Sequence, residues 1–371
     1  MIRKTFFFCC LLLVIRLSFS SHCFGQDSLR YTFEFNAHKG SILPHRDTLR
    51  KTARGAHPTT IELGFSWRDA SRKGFEKANR YTENGILVGY THFDKKNILG
   101  EGFYYMMYTE PQLTLNKKIN FSLRASAGIT YLNKVYDFTD NPDNRFYSSP
   151  VSGLIRVGFH ANYSITSSWQ VSAGANFNHI SNGGMRVPNL GMNYPTVSMG
   201  FKYLINDVDL VDRAKKDIYH KSLRYHAHLF TASRLVRDWD ADAPRKQMIG
   251  LSMALSRQFN HLSSWMVGTE LSHDGSLPIT GKVFERFDDS PVIISVTGGH
   301  LLTIGRVEFS QLLGVYLFKQ YGNDIPVFQR YTLLYAATKN IRAGFSLKAH
   351  AEVAELIDLR LGINFGVSSK R

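Results

Sequence analysis

Apolar and polar residues alternate along many segments of this chain, and the polar positions are often charged. Residues 121–131, for example, read Phe-Ser-Leu-Arg-Ala-Ser-Ala-Gly-Ile-Thr-Tyr. Successive side chains of a β-strand point to opposite faces, so such a segment has one apolar and one polar face. A soluble β-sandwich gives the same alternation, but here charged and polar residues recur on the inner face in strand after strand. An antiparallel transmembrane β-barrel of the outer-membrane type, apolar outside and polar inside, accounts for both faces.

The number of alternating segments predicts an all-β fold of about 16 strands in total. The two halves are alike in plan, which suggests a duplication and either one wide barrel or two fused eight-strand units. Because two linked barrels in one chain are the rarer arrangement, we expect a single barrel. Residues 26–205 would form its first unit, and residues 206–371 would complete or extend it. Between the strands, we predict a long loop over 39–57 and a short helix within the charged segment 69–83.

The N-terminus has the form of an export signal. Arg3 and Lys4 precede an apolar run over 6–15, and a small-residue site at 23–25 precedes Gln26. The run is too short to span a membrane as a helix, so we interpret residues 1–25 as a signal peptide. All three cysteines lie in this leader, which leaves the exported chain without a disulfide, a thiolate metal site or a cysteine nucleophile.

The chain is basic, with a formal net charge of +15. For an exported protein, anionic lipid headgroups or a phosphorylated glycolipid are better partners for this charge than nucleic acid. Aromatic residues make up 13% of the chain, as expected where Tyr and Phe line both interfaces of a membrane barrel. These features predict localisation in the outer membrane and leave the oligomeric state open.

One hairpin places polar side chains on the face predicted to contact lipid. Extending the alternation of residues 169–177 puts His179 and Ser181 on the apolar face, and Asn193 has the same parity in the next strand. If the hairpin pairs residue 179 with residue 193, their side chains lie roughly 5 Å apart. The imidazole is then placed to take a proton from the Ser181 hydroxyl while the amide orients the ring.

The loop between these strands supplies further polar groups. Asn182 and Asn189 carry amide side chains, and the backbone N–H groups of Gly183 and Gly184 can approach a substrate oxygen closely. A purely structural explanation exists, since Asn-Gly-Gly favours a hairpin turn and a His or Ser at a barrel mouth meets water. That explanation suffices for His-x-Ser alone, but not for three polar residues of one parity followed by this loop.

The motif His179-x-Ser181-Asn182-Gly183-Gly184, followed by Pro188-Asn189-x-Gly191, resembles the signature of the lipid A 3-O-deacylase (PagL-type) and acyloxyacyl hydrolase family of the outer membrane. The resemblance extends more loosely over residues 31–205. It implies an eight-stranded barrel with a Ser-His-Glu triad on its lipid-facing wall and lipid A, the anchor of lipopolysaccharide, as substrate. It further implies that Ser181 is the nucleophile, that His179 is the base, and that Asn182, Asn189 or adjacent backbone amides hold the oxyanion.

The third triad position departs from that family. Asn193 stands where the family carries its acidic residue, and an amide orients imidazole without stabilising the imidazolium charge. Outer-membrane phospholipase A is also similar here: it shares the pattern of Asn178–Gly183 and has an asparagine at the same spacing. That family's barrel has about twelve strands and uses calcium, whereas no acidic cluster adjoins Ser181. The Pro188–Gly191 motif and the flanking strands favour the deacylase family.

We therefore expect a carboxylic ester hydrolase that removes an acyl chain from lipid A and needs no cofactor or metal. Outer-membrane phospholipase A and a catalytically inactive structural or pore-forming barrel are the alternatives. Arg186 is a candidate ligand for lipid A phosphates because of its charge alone. His226 and His228 share a strand face but lack a third ligand nearby, so we interpret them, like His350, as lumen or interface residues.

Overall fold

The computed structural model describes residues 28–78, 80–114, 118–206, 208, 222–236, 244–278, 290–319, 326–350 and 353–368. The predicted signal peptide lies outside the described residues. Within them, no helix is long and apolar enough to cross a membrane.

Sixteen strands in the described part of the chain form two closed antiparallel barrels of eight strands each. The first barrel contains β1 (Leu29–Gly40), β2 (Thr59–Asp69), β3 (Thr82–His92), β4 (Glu101–Pro111), β5 (Ile119–Leu132), β6 (Val151–Ser164), β7 (Trp169–Ser181) and β8 (Met192–Leu204). The second contains β9 (Ser222–Leu235), β10 (Arg245–Gln258), β11 (Ser263–Asp274), β12 (Val292–Ile304), β13 (Val307–Phe318), β14 (Val327–Ala336), β15 (Ile341–His350) and β16 (Val353–Ser368).

The all-β barrel prediction is confirmed, but the preference for a single barrel is wrong. Strand β8 closes on β1, from Thr32 opposite Leu204 to Gly40 opposite Thr196, and β16 closes on β9 in the same way. Closure leaves neither sheet with a free edge, so the second half cannot complete or extend the first. Periodicity reports which side chains share a face, but not which strand pairs with the first one, and the sequence pattern alone could not separate the two arrangements.

The outer walls of both barrels are apolar. Large hydrophobic side chains stay exposed at alternate positions, for instance Phe103 and Met199 on the first barrel and Leu229 and Trp265 on the second. Every backbone group inside a bilayer must find its partner within the protein, and a closed barrel achieves this. Apolar walls around closed barrels are the surface that an outer-membrane protein presents to lipid, in agreement with the predicted localisation.

Charged side chains fill both lumens as ion-paired networks. In the first barrel, Arg124 Nη2 lies 2.6 Å from Glu110 Oε2 and 2.9 Å from Glu34 Oε2. In the second, Glu270 binds Arg330 and Arg360 at 2.5 and 2.8 Å. All six side chains are buried, so each charge needs its partners to remain in the low-dielectric interior.

The loops at one end of the first barrel form a cap over its lumen. The segment predicted as a long loop over 39–57 contains α1 (Asp47–Ala53), and its Leu49 packs with Phe146 and Tyr147 of the β5–β6 loop. Tyr147 donates a hydrogen bond to the carbonyl oxygen of Leu99 (3.1 Å), and burial raises the pKa of its hydroxyl. At the opposite end the predicted short helix is present as α2 (Arg72–Ala78).

The three histidines that we assigned to the lumen or interface are buried inside the second barrel. His226 Nε2 lies 2.8 Å from Ser256 Oγ, and His228 Nε2 lies 2.8 Å from Asn364 Oδ1. His350 pairs with the Tyr316 hydroxyl at 3.1 Å. Among the described residues, no group of three or more His, Cys, Asp or Glu side chains could hold a metal ion.

The lumen network predicts a large difference between buried and exposed ion pairs. Glu110→Gln leaves the buried Arg124 without one of its two carboxylates, so we expect a loss of about 3 kcal/mol or more in the free energy of unfolding. Glu76→Gln removes a solvent-exposed partner of Arg72 in α2 and should cost at most about 0.5 kcal/mol. Heat-modifiability on detergent gels and circular dichroism measure both variants. Equal thermal stability of the two would contradict the predicted contribution of the lumen pairs.

Candidate active site on the outer wall

The β7–β8 hairpin pairs His179 with Asn193, as the sequence predicts. The two residues are register partners, and His179 Nδ1 lies 2.6 Å from Asn193 Oδ1. Their neighbours Asn178 and Tyr194 point into the barrel and are buried, whereas Phe177, of the same parity as His179, is exposed. The imidazole and the amide therefore stand on the outer wall, near the end of the strands.

The Asn193 amide oxygen determines the tautomer of His179. A carbonyl oxygen only accepts hydrogen bonds, so Nδ1 carries the proton and Nε2 keeps a free lone pair. Asn193 is itself held by the loop after β1, because its backbone carbonyl accepts a hydrogen bond from Leu43 N (2.8 Å). The ring is also confined by Gly191, where a Cβ atom would lie 2.9 Å from His179 Cε1. His179 is thus prepared to accept a proton at Nε2.

Ser181 lies two residues from His179 on the same face, and its hydroxyl oxygen has two N–H donors. Asn189 Nδ2 donates to Ser181 Oγ at 2.9 Å, and the backbone N–H of Gly183 donates at 3.1 Å. Between these described residues, no hydrogen bond joins the Ser181 hydroxyl to the His179 imidazole. The structure therefore brings the three outer-wall residues together and turns the hydroxyl toward the loop.

Space beside the hydroxyl comes from the neighbouring strand. Gly153 of β6 is the register partner of Ser181. A Cβ atom at Gly153 would meet only one atom within 4 Å, the carbonyl oxygen of Ser181 at 3.3 Å. The missing side chain leaves an open position next to the nucleophile candidate, a feature that the alternation of the strand does not predict. A glycine inside a strand was the available signal.

Asn182 differs from the other loop residues in its orientation. Its side chain is buried, donates to the carbonyl oxygen of Arg186 (2.7 Å) and accepts from the N–H of Gly184 (3.0 Å). Its backbone N–H donates to Asn189 Oδ1 at 3.1 Å. These bonds tie both ends of the loop together, so the Asn182 side chain shapes the loop while the Asn189 side chain reaches Ser181.

Asp137 of the β5–β6 loop and Arg186 of the β7–β8 loop carry opposite charges and interact electrostatically. The pKa of Asp137 is lowered, mainly because its carboxylate accepts hydrogen bonds from the backbone N–H groups of Asp140 and Thr139, and further by the positive charge of Arg186. Arg186 is exposed and faces solvent at the end of the barrel. Its suggested role with phosphates stays a prediction.

Two solved structures align with part of this chain. The crystal structure of Neisserial surface protein A (NspA) aligns at 10% identity and a TM-score of 0.33, covering 47% of this chain and 96% of that chain. The crystal structure of the outer membrane enzyme PagL aligns at 18% identity and a TM-score of 0.32, covering 46% of this chain and 98% of that chain. A search of curated proteins finds no match.

Family models match both barrels. Residues 59–202, which span β2 to β8, match the model of lipid A 3-O-deacylase (PagL). Residues 223–367, which span β9 to β16, match the model of the acyloxyacyl hydrolase C-terminal domain. The family resemblance is therefore confirmed: the first barrel has the sequence pattern of the lipid A 3-O-deacylase (PagL) family, and the second has that of the acyloxyacyl hydrolase C-terminal domain.

Proposed function

We propose that this chain is an outer-membrane serine esterase that hydrolyses an acyl ester of lipid A. The observation that carries the proposal is the His179–Asn193 pair beside Ser181 on a wall that faces lipid. Polar side chains on a wall that faces lipid are unfavourable for stability, whereas an enzyme acting on a membrane lipid needs its reactive groups there. The family match of the first barrel supports lipid A as the substrate.

In the proposed reaction, Ser181 Oγ attacks the acyl carbonyl carbon and gives its proton to His179 Nε2. The tetrahedral intermediate collapses when the ester C–O bond breaks, and His179 returns the proton to the departing sugar hydroxyl. Water then attacks the acyl-Ser181 ester by the same route and releases the fatty acid. A rotation about the Cα–Cβ bond of Ser181 turns Oγ from the loop toward the imidazole, since catalytic hydrogen bonds often tighten only when substrate is bound.

That rotation would also release the two donors that Oγ occupies in the resting site. Asn189 Nδ2 and the N–H of Gly183 then point at the space where the carbonyl oxygen develops negative charge. Donors fixed in advance stabilise an oxyanion without reorganising during the reaction. We assign the oxyanion site to these two groups, with Gly184 and Asn182 shaping the loop that holds them.

The site's position along the barrel supports a substrate in the outer leaflet. Ser181 ends β7 on the side of the long β1–β2 and β5–β6 connections, which are the outer loops of a bacterial barrel. Lipid A occupies that leaflet, and its phosphates would lie at the level of Arg186. Deacylated glycolipid and fatty acid can then leave sideways into the membrane.

Two other functions remain as alternatives. Hydrolysis of glycerophospholipid is favoured by one observation, the asparagine paired with His179, and mass spectrometry of lipid A and phospholipids from cells with and without the protein separates the two substrates. A pore is disfavoured because buried Arg124 and Glu110 bridge the lumen of the first barrel.

Removing the nucleophile should abolish the reaction. For Ser181→Ala we expect lipid A deacylation to fall by about a thousandfold or more, because the acyl-enzyme cannot form. Ser167→Ala, in an exposed turn at the other end of the barrel, is the matched control and should keep wild-type activity. Purified lipid A is incubated with each protein, and the deacylated products are quantified by mass spectrometry. Wild-type rates in Ser181→Ala would remove Ser181 from the mechanism.

The pairing of His179 with residue 193 predicts that substitutions at residue 193 change kcat to different degrees. Asn193→Ala removes the acceptor of the Nδ1 proton and should lower kcat by about a hundredfold, the scale of general-base assistance. Asn193→Asp keeps an acceptor and adds a charge that stabilises the imidazolium, so its kcat should equal or exceed that of the wild type. Steady-state assays on one ester compare the three proteins. If Asn193→Ala were as active as the wild type, the amide would have no orienting role.

A further inference from the structure

The second barrel touches the loop that follows Ser181. A Cβ atom on Gly183 would lie 2.1 Å from Ile357 Cδ1 and 2.5 Å from its Cγ1, so the Ile357 side chain of β16 rests directly on this glycine. Gly183 is buried although it belongs to an outer loop. A Cβ atom on Gly184 would lie 3.3 Å from the carbonyl oxygen of Glu355, the start of the same strand.

A second contact fixes the loop from strand β10. Arg245 Nη1 donates to the carbonyl oxygen of Met185 at 2.5 Å. The guanidinium is held in turn by Ser233 of β9, through the backbone oxygen at 2.6 Å and the hydroxyl at 2.9 Å. The residues next to the oxyanion donor Gly183 therefore lie against strands of the other barrel.

The two barrels also contact each other away from this loop. Ile357 lies near the start of β16, at the end that carries the site, while α2 of the first barrel contacts β12 of the second. From the contact inward, β16 exposes Leu359 (66%) and Leu361 (60%) on its outer face, and the wall below Ser181 exposes Phe177 (47%). Each barrel thus presents exposed apolar side chains on its outer face on the membrane side of this contact.

We propose that the outer face of β16 is the second wall of the acyl-binding site and that Ile357 helps to select the acyl chain. The ligand is the saturated hydrocarbon chain of a lipid ester, lying between the two barrels with its carbonyl at Ser181. This inference rests on the proposed esterase function and adds a role for the second barrel. On a single barrel the acyl chain contacts protein on one side and fluid lipid on the other. Fluid lipid does not discriminate between acyl chains of different length. An opposing rigid wall makes the site a cleft with a definite shape.

The contact itself is tested first by a disulfide. The Cβ position of Gly183 lies 3.3 Å from Ile357 Cβ, close to the separation of about 3.5–4.5 Å that a disulfide requires. Gly183→Cys combined with Ile357→Cys should cross-link in the full chain, whose native cysteines are all within the first 23 residues. Gly183→Cys with Leu313→Cys, on strand β13 three strands away from β16, should not. Mass spectrometry of tryptic peptides detects the bond, and its absence under oxidising conditions overturns the inference.

Acyl selectivity is tested next with nitrophenyl esters of short and long fatty acids. Ile357→Ala removes part of the wall and should lower kcat/KM for the preferred long chain about tenfold, mainly through KM, with a smaller loss for a short chain that makes less contact with the wall. Ile357→Trp fills the cleft and should shift the preference to shorter chains. Leu313→Ala, at an exposed apolar position on strand β13 of the same barrel, should keep the wild-type profile.

The outcomes separate this inference from the function on which it rests. An active wild type, an inactive Ser181→Ala and wild-type chain profiles in both Ile357 variants would overturn the role of β16 and leave the esterase intact. A wild type inactive on every ester and on lipid A would overturn both. A changed chain profile together with the cross-link supports the shared cleft.

Discussion

Hydrogen bonding between the first and last strand of each sheet is the constraint on which this structure depends. In a bilayer an unpaired strand edge exposes backbone groups that each cost several kcal/mol, so a membrane sheet must close. Here closure occurs twice, at β1–β8 and at β9–β16. Eight strands enclose an interior that is just wide enough for side chains to fill, and paired charges such as Arg124 with Glu110 and Arg330 with Glu270 occupy it.

The neighbouring β7–β8 ladder builds the candidate site. Register pairing places Asn193 opposite His179, and the ladder ends where the loop begins, so Ser181 meets loop donors and strand side chains at once. The apolar cap packed around Leu49 and Phe146 supports the loops on the lumen side. Rigid strands therefore position the imidazole, while the loop positions the groups around the hydroxyl. A catalytic group placed on a strand is held more precisely than one placed on a loop.

Much of this arrangement could be predicted from alternation alone. The parity of residues 169–181 and 193–203 placed the imidazole, the hydroxyl and the amide on one face, and the structure has the predicted 179–193 register. The direction of the Asn182 side chain could not be predicted, because a loop residue has no parity to follow. The opening at Gly153 could not be predicted, because a single missing side chain in a strand has many explanations. The Leu43 bridge to Asn193 joins residues far apart in sequence and leaves no local signal.

The sequence by itself determined the class of fold, the inner and outer faces of the strands and the residues that share the lipid-facing wall. These properties follow from local periodicity, in which each residue's face depends only on its neighbours in the chain. Only the tertiary structure decided that the chain closes into two barrels and that Ile357 and Arg245 of the second rest on the loop after Ser181. Barrel closure depends on which distant strands pair, and the contact between the barrels depends on how their folded surfaces fit together. The local alternation of apolar and polar residues specifies neither.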